Sequence, residues 1–296
     1  MKLRLVTLPF LALFNINLGF SQVNSQRLTG LIIGESLVFT GGLYGLGKAW
    51  YKQPKAKFHT FNDLKEWQQI DKLGHSFWAF QMANLSLSAY KWTGLSNEQS
   101  AYYAGLNGFV FQAPIEIMDG FSPDYGFSLG DMAANISGSA LYVSQQITWG
   151  ETRISPKFSW HPTSFAKQRP ELLGKNYSEQ WLKDYNGQTY WLSANIASFE
   201  QNQDSKIPKY LNMAFGYSIE NMIAADPEKS KRLGRKPIRQ FFFSPDLDLT
   251  RIKTDSDFLR GFLFLANMLK IPAPALEVQI RPERPRIKIK FHAIYF

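Results

Sequence analysis

Between residues 27 and 150, apolar residues come in blocks of about twenty, and short connectors that are polar or contain Gly and Pro separate the blocks. This length and spacing predict a bundle of about four helices. Ser128 with Asp131 provides a polar start for the fourth helix, as Asn97 does for the third. The helices are expected at residues 28–50, 71–92, 97–118 and 128–149.

From residue 151 onward the pattern changes to an alternation of apolar and polar positions, which predicts strands. A further helix is expected at residues 256–269. The predicted fold class is therefore α+β, an N-terminal bundle followed by a small, mainly antiparallel sheet that packs on one face and carries one or two helices. The strands are expected at residues 190–199, 210–219, 240–252, 275–281 and 286–296.

Two of the predicted strands show how the faces of the sheet divide. The last strand alternates between an apolar face, with Ile289 and Phe291, and a polar face, with Lys290. Asp246 and Asp248 alternate with leucines, a pattern typical of a strand with one solvated face.

The first residues of the chain read as an export signal. Lys2 and Arg4 give a basic start, residues 5–14 form an apolar run, and small residues at Gly19 and Ser21 precede a cleavage point. The apolar run is shorter than the ~20 residues that a membrane span needs. The predicted organisation is a signal peptide at 1–21, a helical bundle domain at 22–150, a connector at 151–189 and a β-rich domain at 190–296.

The chain has 296 residues, a formal net charge of +9 and no cysteine. The absence of Cys excludes thiol catalysis, disulfides, zinc–thiolate and iron–sulfur sites within these residues. The basic residues gather in two clusters, at 229–239 and 281–290. On an exported chain such clusters favour anionic lipid headgroups or phosphorylated glycans over nucleic acid, and the alternative is that they are simply solvated.

The most specific chemistry lies on the second, third and fourth predicted helices. Asp71 and His75 stand four residues apart, as do Asp131 and Asn135, so each pair shares one helical face. Glu116 lies near the end of the third helix. If these faces converge, the five side chains meet in one pocket, and we call them the polar motif: Asp71, His75, Glu116, Asp131 and Asn135.

Three uses of the polar motif are open from the residues alone. Imidazole and carboxylate ligands suit a divalent cation such as zinc, manganese or iron. His75 oriented by Asp71, with a second carboxyl group nearby, suits metal-free acid/base catalysis. The third use is structural, in which hydrogen bonds among buried polar groups fasten the helices together. Neither a metal nor another cofactor is assigned from the sequence.

The segments Asp71-Lys72-x-x-His75, Glu116 and Ser128-x-x-Asp131-x-x-x-Asn135-x-x-Gly138 resemble the signature of the VanZ-like membrane proteins, small four-helix proteins associated with glycopeptide resistance. That resemblance covers about residues 71–140. Most of the mature chain resembles an uncharacterised family of predicted periplasmic lipoproteins that includes YfiM. Segments that carry this wider resemblance are Tyr185–Trp191, Pro208–Asn212 and Ile271–Glu277.

The resemblance implies a periplasmic location and points to the polar motif, with Lys72, as its site residues. The chain departs from it because a lipid-attachment motif needs a Cys. We expect an exported envelope protein of the periplasm or outer membrane that associates with a membrane and has an envelope lipid or protein partner. Its expected role is non-catalytic, structural or partner-binding. The alternative is a hydrolase-like or metal-dependent enzyme that acts on an envelope lipid or glycan at the polar motif.

Overall fold

A computed structural model of the protein describes residues 23–50, 55–200 and 206–295. The predicted signal peptide at 1–21 lies outside the described residues. The described chain forms two compact units. Of the described residues, the helical unit contains those up to 61 and residues 78–150, and the sheet unit contains residues 62–77 and those from 151 onward. The described elements confirm the predicted α+β class.

Four long helices form close to their predicted positions, because their apolar blocks end at capping residues and connectors. They are α1 (Ser25–Trp50), α2 (Ile70–Trp92), α3 (Asn97–Asp119) and α4 (Leu129–Trp149). Ser96 caps α3 in a capping box with Gln99, and Gly150 ends α4 in the left-handed conformation. The first two turns of α2 belong to the sheet unit and the remainder to the helical unit.

Aromatic side chains fill the core of the helical unit. Phe80 and Tyr142 meet edge to face with ring centroids 5.3 Å apart, and Tyr90 stacks on Tyr103. All four are buried. Gly108 lets α3 approach α2 closely, since a Cβ at this position would lie 2.2 Å from the carbonyl oxygen of Ala79.

Helix α1 is long and apolar enough to cross a membrane. Residues 25–45 combine a length of 21 residues with a mean hydropathy of 1.2, near the N-terminus, and no other helix in the described ranges meets both criteria. Signal sequences and membrane anchors share these properties.

The sheet unit is built on six antiparallel strands whose order in the sheet follows the chain. Short helices α5 (Pro170–Leu173), α6 (Tyr177–Lys183) and α7 (Pro227–Arg232) lie in its connections, and α8 (Asp257–Ala266) precedes the fifth strand. The strands are β1 (Ile154–Trp160), β2 (Gln188–Asn195), β3 (Leu211–Glu220), β4 (Ile238–Leu247), β5 (Ala273–Ile280) and β6 (Ile287–Tyr295).

Strand β1 lies inside the segment that the sequence assigns to a connector. Pro156, which in the sequence suggested a loop, lies in β1 opposite Leu192. β1 is the first strand of the sheet order, and its outer edge forms a bridge to residues 268–270 at Phe158, so Pro156 lies beside that bridge on an edge strand that tolerates a residue without an N–H group. The pattern of prolines therefore marked an edge strand rather than a loop.

The sheet curls so that β2 and β6 approach each other across one face. The hydroxyl oxygens of Thr189 on β2 and Tyr295 on β6 are 3.2 Å apart. In a flat sheet these strands, four spacings apart, would be separated by about 19 Å. The rings of Trp191 and Tyr295 also meet, with centroids 6.0 Å apart. We call this inner face the concave face and the opposite one the convex face.

The concave face is buried and carries polar as well as aromatic side chains, which corrects the expectation of a solvated strand face at Asp246 and Asp248. Asp246 is buried and pairs with Lys157 of β1 at 2.9 Å, and Ser193 donates to it at 2.6 Å. Asp248 is also buried and pairs with Arg251. Alternation alone identifies two faces, and the curl of the sheet then encloses the polar one.

Candidate functional site

Three members of the polar motif lie in the helical unit, where α3 ends and α4 begins. Glu116 is 1% exposed, and its Oε2 accepts the backbone N–H of Ser128 at 3.2 Å. The Ser128 hydroxyl oxygen in turn accepts the backbone N–H of Asp131 at 3.0 Å and caps α4. A carboxylate near the first N–H groups of a helix is stabilised by the helix dipole. The end of α3 and the start of α4 are thus fastened together through buried polar groups.

Asn135 follows Asp131 by four residues on α4 and therefore lies on the same face. Both side chains are buried. Ser139 continues this buried polar row one turn further along. The four-residue spacing seen in the sequence thus corresponds to an inward-facing row on α4.

The other two members, Asp71 and His75, lie on the first two turns of α2 in the sheet unit. Lys72 forms ion pairs with Asp71 at 2.9 Å and with Asp63 at 2.6 Å. No sequence pattern pointed to Asp63, because it precedes the helix and its distance to Lys72 depends on the path of the loop. His75 is half-buried.

Tyr190 of β2 packs against this start of α2. A Cβ at Gly74 would lie 2.9 Å from the Tyr190 hydroxyl oxygen, so the glycine makes room for the phenol. Burial, and then the negative charge of Asp71, raise the pKa of Tyr190 above its ordinary value. Tyr190 therefore stays a neutral hydroxyl beside the Asp71 carboxylate at physiological pH.

The structure thus places the polar motif in two sets, one in each unit. Glu116, Asp131 and Asn135 form the first set, and Asp71 and His75 form the second. Both sets offer oxygen or nitrogen ligands of the kind that zinc, manganese or iron accept. The expectation that both sets serve one site stays a prediction.

A second buried polar group in the helical unit was not found by sequence reasoning. Glu35 of α1 accepts hydrogen bonds from the Tyr90 hydroxyl and from the Asn107 amide, each at 2.9 Å. Asn107 also donates to the Ser86 hydroxyl oxygen at 2.7 Å. The one signal in the sequence was that Glu35 is the only acidic residue of its apolar helix. Its partners Tyr90 and Asn107 are 55 and 72 residues away in sequence.

Residues 61–145 match the model of a family described as a predicted periplasmic lipoprotein family. No curated protein and no solved structure matches the chain. The matched segment contains all five residues of the polar motif and stops before the sheet. The chain is thus similar to an uncharacterised family of exported proteins over about the second to fourth helices.

The match agrees with the predicted location of an exported protein of the periplasm or outer membrane. The apolar helix α1 is compatible with export as well. The family description also suggests membrane association. None of the 296 residues is Cys, so the lipid implied by that description has no thiol to which it could attach among them.

Proposed function

We propose that this exported protein has a non-catalytic role in the cell envelope, as a structural or partner-binding component, and that Glu116, Asp131 and Asn135 stabilise its helical unit. The observation that supports the proposal is the hydrogen bond from the Ser128 backbone N–H to the buried Glu116 carboxylate. A buried carboxylate that accepts from a helix N-terminus contributes to stability through both the hydrogen bond and the helix dipole.

A double-mutant cycle on Glu116 and Ser128 tests this role. Ser128→Ala removes a helix cap, which typically costs about 1 kcal/mol. Glu116→Gln weakens the charge-assisted hydrogen bond and is expected to cost about 1–3 kcal/mol in the free energy of unfolding. Alanine at position 128 keeps the backbone N–H that Glu116 accepts, so departure of the double variant from additivity reports coupling through the shared start of α4. Urea unfolding measures all three values.

Ser96→Ala is the matched control, since Ser96 caps the start of α3 through Gln99, at the opposite end of that helix from Glu116. Its loss should add to that of Glu116→Gln. The structural role is contradicted if Glu116→Gln keeps full stability while a strain that carries it loses resistance to detergent as a deletion strain does. That result would point to chemistry at the carboxylate instead.

A second candidate function is an enzyme, hydrolase-like or metal-dependent, that acts on an envelope lipid or glycan at the polar motif. The observation that favours it is the extent of the family match, which covers all five residues and leaves out the sheet. In this function His75 would carry the proton or bind the metal, and Asp71 would orient its ring. The resemblance to the VanZ-like proteins, which stays a prediction, rests on the same residues. The resemblance to YfiM also stays a prediction, and it rests in addition on segments of the sheet unit.

Elemental analysis of the purified protein separates the two candidates. Stoichiometric zinc, manganese or iron that is lost in His75→Ala but kept in His161→Ala supports a metal site, since His161 lies outside the polar motif. For a metal-free enzyme, Asp71→Asn should abolish detergent resistance with unchanged unfolding. Absence of metal together with destabilised His75→Ala and Asp71→Asn variants would leave the structural role.

A further inference from the structure

A row of large apolar side chains crosses the convex face of the sheet. Its members stand directly opposite one another on five neighbouring strands, and each is between 43% and 73% exposed. Measured along the curved sheet, its four strand spacings amount to about 19 Å. We call it the convex row: Leu192, Phe215, Phe243, Leu276 and Phe291.

The convex row continues along β5 and β6 toward one end of the sheet. Ile280, Ile287 and Ile289 are exposed on the same face, and Ile280 stands opposite Ile287. Contiguous exposed apolar surface of this kind marks a contact with a partner or a membrane. Beyond Ile280 and Ile287 the chain turns through a hairpin that contains three arginines, at positions 281, 284 and 286.

A second basic segment lies at the same end of the sheet. The connection between β3 and β4 contains residues 227–236, and Lys236 in it pairs with Glu283 in the hairpin at 2.6 Å. Lys231, Arg235 and Pro282 line one shallow cleft between the two segments. Together residues 227–236 and 281–286 contain eight Lys or Arg and two Glu. The apolar surface therefore ends at a strongly positive edge.

We propose that the convex row and this basic edge bind an anionic lipid surface, with the apolar side chains in the acyl region and the basic residues among the headgroups. The charge argues for this occupant, since juxtaposed Lys and Arg attract anionic lipid. The shape argues for it too, because fluid lipid chains adapt to a convex surface whereas a protein would need a matching concave one. The proposal uses none of the residues of the polar motif and stands independently of the role proposed for them.

Helix α1 could also hold the chain on a membrane, so the test must report on the convex face itself. Because the chain has no Cys, Phe291→Cys creates a unique site for an environment-sensitive fluorophore. Phe258→Cys on α8 is the matched control, since Phe258 is an exposed aromatic residue of the same unit that lies outside the convex row. Both labelled full-length proteins are mixed with vesicles of phosphatidylethanolamine containing one quarter phosphatidylglycerol.

The label at position 291 should shift to the blue and become protected from an aqueous quencher, and the label at position 258 should not. A chain that sediments with the vesicles while the label at 291 stays in water would overturn the proposal, because α1 alone would then hold it. Equal shifts at both positions would also overturn it, since binding would then not be confined to the convex face.

A second measurement tests whether binding depends on anionic lipid, by comparing protection of the label on two kinds of vesicle. Replacement of Arg281, Arg284 and Arg286 by Gln should weaken protection of the 291 label on the anionic vesicles about tenfold or more, and should change it less than twofold on phosphatidylcholine. All three side chains are at the surface, so the variant is expected to fold. Equal loss on both vesicles would contradict a role in anionic lipid binding.

A second copy of the chain is the competing occupant of the convex row. Sedimentation of the labelled protein without vesicles decides this. A dimer that Phe215→Ser and Phe243→Ser, introduced into the chain labelled at position 291, convert to a monomer, with no protection of the label by vesicles, would assign the row to a protein interface and refute the lipid proposal. If parent and variant sediment with the same mass and vesicles no longer protect the label in the variant, the lipid proposal is supported.

Discussion

Lys157 on β1 and Asp246 on β4 form an ion pair of 2.9 Å in which both side chains are completely buried. The pair spans the concave face, since two strands separate β1 from β4. Asp246 also lies 3.8 Å from Lys270, and Lys157 donates to the carbonyl of Leu247 at 2.6 Å. Buried charges persist only where they are paired and hydrogen-bonded, so this network requires the curl of the sheet.

Asp246→Asn should be among the most destabilising single changes in the sheet unit. It leaves Lys157 and Lys270 buried without their counterion, and breaking a buried pair in this way costs about 3–5 kcal/mol. Lys157→Met should cost less, because Asp246 keeps Lys270 and the hydrogen bond from Ser193. Urea unfolding followed by tryptophan fluorescence, to which Trp191 of the concave face contributes, measures both losses.

Lys236→Gln is the control for this comparison, because its pair with Glu283 is largely exposed and should contribute little. If Asp246→Asn lost less free energy of unfolding than Lys157→Met, the Asp246 carboxylate would not be the shared counterion of the two lysines.

Gly108→Ala should destabilise the helical unit, because the new Cβ would lie 2.2 Å from the backbone oxygen of Ala79 and α2 and α3 would have to move apart. Overpacking of this kind typically costs about 1–3 kcal/mol. At Gly41, an added Cβ meets nothing within 4 Å, so Gly41→Ala should be neutral or stabilising through helix propensity. Thermal unfolding by circular dichroism compares the two. Equal effects would show that α2 and α3 do not approach closely at Gly108.

The stability of the sheet should fall at acid pH partly through Glu277. Burial by itself raises the pKa of this carboxyl, but hydrogen bonds from His292, Gln240 and Gln279 outweigh it and hold the pKa below its ordinary value of 4.5. A lowered pKa in the folded state adds stability above pH 4.5, and that stability is lost as the pH falls through the folded value.

Glu277→Gln should therefore flatten the fall in unfolding free energy below pH 4.5, although the variant is less stable at neutral pH. Urea midpoints for parent and variant at neutral pH and at about pH 3 give the comparison. If both proteins lose the same free energy between these pH values, the acid sensitivity comes from other carboxyl groups.

Asn107→Asp should destabilise the helical unit more than Asn107→Ala. The alanine variant removes two hydrogen bonds, for which about 1–3 kcal/mol is expected. The aspartate variant in addition places a second carboxylate beside Glu35, where the amide now donates at 2.9 Å. Protonation of one of the two carboxyls at acid pH should restore part of the loss. Chemical denaturation at pH 7 and pH 5 measures the free energy of unfolding of both variants. If the difference between them is the same at both pH values, the side chain at position 107 does not contact Glu35.

Local patterns were sufficient for the helices and for the fold class. Helices α2, α3 and α4 begin and end within about two residues of the predicted positions, because caps and connectors act over one or two turns. The sequence also placed Asp131 and Asn135 on one face of α4, since a four-residue spacing fixes that relationship in any helix. The predicted location agrees with the family match.

Long-range pairing was decided only in the folded chain. The pattern of β6 separated a polar from an apolar face, but the curl of the sheet, seen in the contact of Thr189 with Tyr295, determined that the polar face is enclosed and the convex row exposed. Glu35 meets Asn107, and Lys157 meets Asp246, across 72 and 89 residues of chain. Periodicity carries information over a few residues, whereas these contacts depend on how whole elements pack.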